Sequence, residues 1–139
     1  MKESIHMMES MDSVLALRFF YSLLAETLAV HGMFDEAGAT NEKSMGFGRL
    51  GQKWGEIGNH RTIGILAASG RNPDWNQVVM HMEKSIDLAT RTGAMTELVQ
   101  SLSCFSRLMR KRGDTTSSHA YFDKARSLAG KIGCTVPLF

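Results

Sequence analysis

The chain has 139 residues, 43% of them hydrophobic and 22% charged, which suits one globular domain with its own core and excludes wholesale disorder. A formal net charge of +2 identifies neither a nucleic-acid nor a membrane partner. Two cysteines, Cys104 and Cys134, stand far apart with no Cys-x-x-Cys spacing, and five histidines show no metal-ligand spacing. Two reduced thiols in a reducing compartment, no metal site and no cofactor are therefore expected.

Residues 1–10 read as a lead-in. The first long apolar stretch, Val14 to Val30, is interrupted by Arg18, Ser22, Glu26 and Thr27. A spanning helix needs about 20 mostly apolar residues, and a secretory signal does not begin with Glu3, Glu9 and Asp12, so the reading is a cytoplasmic protein with no membrane span. After His31-Gly32-Met33-Phe34-Asp35 a second helix is predicted to about Arg49. The string Gly46-Phe47-Gly48-Arg49-Leu50-Gly51 matches G-x-G-x-x-G, but no strand precedes it, and it reads as a frayed helix end and loop rather than a dinucleotide site.

Asn59 is a candidate N-cap for a helix opening at His60 and Arg61, which makes those two residues part of a solvent-facing polar turn. Glu56, one helical turn from His60, is the nearest carboxylate that a catalytic reading could use. The connection Arg71-Asn72-Pro73-Asp74-Trp75 then leads into a helix to about Arg91, and Trp54 and Trp75 read as packing anchors of this middle unit. In the next segment Leu98, Leu102, Phe105 and Met109 form a stripe, widened by Val99 and Leu108. Arg112-Gly113-Asp114 ends it. Gly113 supplies the left-handed turn and Asp114 caps the returning helix, whose stripe is Ala120 or Tyr121, Ala125, Leu128 and Ile132. No run alternates like a strand, and the last residues, 134–139, form a short apolar tail.

Gly32, Pro73 and Gly113 recur at intervals of 41 and 40 residues (73 − 32 and 113 − 73), the mark of stacked helical hairpins. The fold class expected is all-α: a single domain over 1–139, an α-α superhelix of three helix-turn-helix repeats at about 11–52, 53–92 and 93–133, with six to seven helices. The segment LLAETLAVHGMFDEAGATNEKS resembles a tetratricopeptide repeat, with Ala25, Gly32, Ala37 and Ser44 at the family's small-residue offsets. Ser106, Gly113, Ser118, Phe122 and Ala125 match the same offsets, while the middle unit keeps Val78, Met82 and Ser85 but has Leu66 and Pro73 where small residues are usual. The long period is similar to that of the C-terminal repeats of bacterial nucleotide cyclase–ATPase fusions and MalT-type transcription activators. No ATP-binding string of their kind is present.

The resemblance implies a non-catalytic interaction module that holds a protein or peptide segment in a concave groove. In a helix Gln100, Ser103, Arg107 and Lys111 align opposite Leu102 and Met109, and with Arg110 they make a basic row suited to an acidic partner. The residues expected at the groove are His60, Gln100, Ser103, Arg107, Arg110 and Lys111. No catalytic residue is assigned. The alternatives are a regulatory or sensor fragment of a larger signalling protein, or a structural unit that forms a homodimer.

Overall fold

A computed structural model describes residues 2–3, 14–47 and 53–136. Among them are six long helices and no strand: α1 (Val14–Val30), α2 (Phe34–Met45), α3 (Lys53–Ala67), α4 (Trp75–Thr92), α5 (Met95–Arg112) and α6 (Thr115–Ile132). No helix in this region is long and apolar enough to cross a membrane. Residues 1 and 4–10 of the lead-in, positions 48–51 of the glycine-rich string, the Trp54 side chain and residues 137–139 of the tail lie outside the described residues.

Each expected turn falls between consecutive helices, and the local chemistry is as the residue types require. Gly113 sits at φ +91°, a conformation costly for any residue with a Cβ, and the backbone N–H groups of Gly113 and Asp114 close the end of α5 on the carbonyls of Arg110 and Met109. Asp114 Oδ1 then accepts from Ser117 N at 3.0 Å, and Asp74 Oδ1 from Gln77 N at 3.2 Å, capping α6 and α4.

The helices pack chiefly in consecutive pairs, α1 with α2, α3 with α4, and α5 with α6. Between pairs, α3 is central: it touches α1, α2, α4 and α5, while α6 touches only α5. The largest cluster of buried apolar side chains lies between α4 and α5, where Val78 and Met82 meet Phe105, Leu108 and Met109. Phe105 also stacks on Tyr121 of α6 at 4.3 Å between ring centres. The small residues Ala25, Ala37, Ser44, Ser85, Ser118 and Ala125 are all buried, which lets paired helices approach closely. Trp75 packs against the same cluster, and the Arg112 guanidinium lies 5.7 Å from its ring centre.

One expectation is corrected. The middle hairpin does not open at His60: α3 begins at Lys53, so Asn59, His60 and Arg61 lie in mid-helix, and Asn59 caps nothing. Asn59 and Arg61 are buried rather than solvent-facing, at 2% and 1% exposure. Three glycines within Lys53–Ala67 lower its intrinsic helix preference, and packing on four neighbours overrides that weakness. The glycines are needed for contact. A Cβ on Gly58 would meet Ser22 Oγ, and one on Gly64 would stand 3.0 Å from Met82 Sδ.

Candidate functional site

Residues 59, 60 and 61 are about 100° apart around the helix axis, so each faces a different neighbour. Asn59 faces α1 and α2. Its Oδ1 accepts from Arg18 Nε and Nη2, and its Nδ2 donates to Asn41 Oδ1 at 2.8 Å and Ser44 Oγ at 3.0 Å. Ser44 in turn donates to the Arg18 carbonyl at 2.7 Å. The network is therefore satisfied around Asn59, as a buried amide requires.

Arg61 faces α1 and α5. Its Nε lies 3.0 Å from Glu26 Oε1, its Nη2 3.0 Å from Glu26 Oε2 and 2.7 Å from Glu97 Oε2. Nη2 also donates to Gln100 Oε1 at 3.2 Å, and Nη1 donates to Ser101 Oγ at 3.0 Å and to the Glu97 carbonyl. Ser85 spends its hydrogen on the Ile57 carbonyl, so the Ser101 hydroxyl donates across the 2.6 Å contact to Ser85 Oγ. Burial alone would lower the Arg61 pKa, but the two carboxylates outweigh it and raise it, so the guanidinium is a fixed positive charge.

His60 faces α4. Its Nδ1 lies 2.9 Å from His81 Nδ1, while its Nε2 lies 3.9 Å from Glu56 Oε1, and His81 Nε2 lies 3.1 Å from Gln77 Oε1. Burial, followed by the proximity of His81, lowers the His60 pKa to about 4, against the opposing pull of Glu56. Burial and Lys84 lower that of His81.

Above Arg61, between α1 and α5, lies a cleft of about 240 Å³ lined by Leu23, Glu26, Thr27, Val30, His31, Gln100, Ser103 and Arg107. The Arg61 cluster forms part of its floor through Glu26 and Gln100. A second hollow of about 200 Å³ adjoins it, sharing Val30 and Arg107, with Phe34, Ile65 and Leu108 as apolar lining and Lys111 at its edge. Lys111 Nζ also donates to the Ala68 carbonyl at 2.7 Å, reaching from α5 to the end of α3. Cys104 faces this hollow, and burial pushes its thiol up to about 11, so it is no nucleophile near neutral pH.

Of the residues expected at a groove, the structure brings Gln100, Ser103 and Arg107 together in the first hollow and Lys111 into the second. Arg110 is exposed on α5 and lines neither, and His60 belongs to the α3–α4 contact. Sequence reasoning missed Glu26, Val30, His31 and Phe34. The first hairpin was legible as helices, but nothing in its residues says which side meets α5. Among the described residues, no group of three or more His, Cys, Asp or Glu side chains is placed to hold a metal ion. No family model, curated protein or solved structure matches this chain.

Proposed function

We propose that this chain is a tetratricopeptide-like interaction module that grips an acidic segment of a partner protein in the cleft between α1 and α5. The observation that carries the reading is the composition of that cleft. Apolar side chains from α1 and α2 (Leu23, Val30, Phe34) lie opposite the cationic side chains Arg107 and Lys111 of α5. Val30 and Phe34 are 38% and 41% exposed, with Met33 beside them at 44%, so apolar surface continues from the cleft onto the α1–α2 turn.

An acidic peptide with interspersed apolar side chains complements both walls, because Arg and Lys make charge-assisted contacts with carboxylates while the opposite wall buries carbon. The superhelical reading rests on the paired helices and on α3 lying between α1 and α5, which is how the first helices of stacked hairpins line a shared surface. In the cleft His31 Nδ1 meets the Thr27 carbonyl and Glu26 is held by Arg61, and the reading is a binding role rather than an enzymatic one.

The test is selection from a displayed peptide library, followed by fluorescence anisotropy on the selected sequences. The expected result is a set rich in Asp and Glu, whose affinity falls at least about tenfold with Arg107→Glu/Arg110→Glu/Lys111→Glu, a loss of about 1.4 kcal/mol. Circular dichroism melts of both proteins check that the variant is folded. Recovery of no peptide, or binding indifferent to the charge reversal, overturns the reading. Failure of binding together with a stable dimer in light scattering favours the structural homodimer instead.

A further inference from the structure

His60 and His81 meet head-on. Their ring centres are 5.2 Å apart and the facing Nδ1 atoms 2.9 Å apart, so the difference is about the two ring radii and the nitrogens point at one another. Two neutral imidazoles can do this only if one Nδ1 carries a hydrogen and the other accepts it. Gln77 Oε1, 3.1 Å from His81 Nε2, marks that nitrogen as N–H, leaving His81 Nδ1 as the acceptor. His60 Nδ1–H is then the donor, and His60 Nε2 presents a bare lone pair toward Glu56. The hydrogen-bond chain runs from Gln77 through His81 to His60 and bridges α3 to α4.

We infer that this pair is an acid-sensitive latch on the middle hairpin: neutral histidines hold α3 against α4, and protonation releases them. The charged groups acting on His60 are Glu56 from α3 itself, Lys84 and His81 from α4, and Arg18 from α1. The first proton enters at His81, the less buried ring and the one whose pKa is depressed less; it occupies His81 Nδ1, and the hydrogen bond then survives only if His60 moves its own hydrogen to Nε2, toward Glu56. A second proton makes both Nδ1 atoms donors, and the 2.9 Å hydrogen bond becomes a repulsive contact. Burial, and after it the proximity of His81, depresses the pKa of His60, while burial and Lys84 depress that of His81.

The sign is fixed by linkage. Between the ordinary histidine pKa of 6.5 and the folded value of about 4, the opened hairpin binds protons that the closed one does not, so closure weakens as pH falls. Since α3 also carries Asn59 and Arg61, opening of this hairpin disturbs both polar networks. The latch operates whatever occupies the cleft.

Urea unfolding of the full chain at about pH 7.5 and about pH 5 reads the effect, which for this pair is about a tenfold fall in the folding equilibrium constant after allowance for partial exposure. His60→Gln/His81→Gln removes that fall, whereas His31→Gln/His119→Gln, at two exposed positions, does not. Imidazole resonances of the wild-type protein, followed by NMR, give a second reading that needs no variant. His60 titrates well below a free histidine if the latch exists, and this titration decides should the double variant not fold. Titration of both rings near the free value, or an undiminished acid loss in a folded double variant, overturns the inference.

Discussion

At Arg61 one side chain ties helix α3 to both walls of the cleft, through Glu26 on one side and Glu97, Gln100 and Ser101 on the other. A buried ion cluster of this kind is not a large net source of stability, because desolvation cancels most of the attraction. Removing one partner is different. Arg61→Ala leaves two mostly buried carboxylates facing each other, and we expect a loss of about 3–5 kcal/mol in urea unfolding. Arg61→Met/Glu26→Gln/Glu97→Gln, which discharges the whole cluster, should recover most of that loss; a triple variant no better than Arg61→Ala would mean that the charges are not the reason. None of this was legible in the sequence. A lone arginine between a histidine and a threonine looks like surface, and it is the approach of Glu26 from 35 residues upstream and of Glu97 from 36 downstream that makes its burial tolerable.

The helix that carries it, α3, was equally hard to read. The stripe of Val78 and Met82 in α4, or of Leu102, Phe105 and Met109 in α5, repeats at helical spacing, because those faces meet large apolar partners. In Lys53–Ala67 the neighbours come so close that glycine stands where a side chain would otherwise mark the buried face. Gly58 shows this best. Its missing Cβ makes room for Ser22, whose hydroxyl donates to the Gly55 carbonyl at 3.0 Å. Gly58→Ala should therefore destabilise by about 1–3 kcal/mol despite alanine's better helix propensity, and Gly58→Ala/Ser22→Gly should relieve the clash. A gain in melting temperature for Gly58→Ala alone would show that the helices are not packed this closely. At the helix ends the sequence was a better guide, since capping is local. The hydrogen bonds from Ser117 hold the Asp114 carboxyl below the usual carboxylate range. Its contribution to stability is thus present above the ordinary Asp pKa and fades as pH falls through the depressed folded value. Thermal melts of Asp114→Asn should show a smaller acid-induced decrease than wild type in that window.

Across the molecule, the hairpin plan was visible in the 41- and 40-residue recurrence, whereas the relation of the first hairpin to the third was not, because it depends on polar contacts. Helices α1 and α5 share no close backbone approach; the cleft separates them, and α3 spans the floor. Arg61 reaches both at once, through Glu26 of α1 and through Glu97, Gln100 and Ser101 of α5. Lysine in its place keeps the charge but offers a single ammonium, which cannot serve Glu26, Glu97, Gln100 and Ser101 together. Arg61→Lys should then loosen the second half of α1 and the first half of α5 more than the rest. Native-state hydrogen exchange resolves this residue by residue: protection around Glu26 and around Glu97–Ser101 should fall, while α6, which packs on α5 alone, keeps its own. Should protection drop equally in all six helices, the substitution would have lowered global stability and nothing more, and Arg61 would be a structural charge without a part in holding the cleft open.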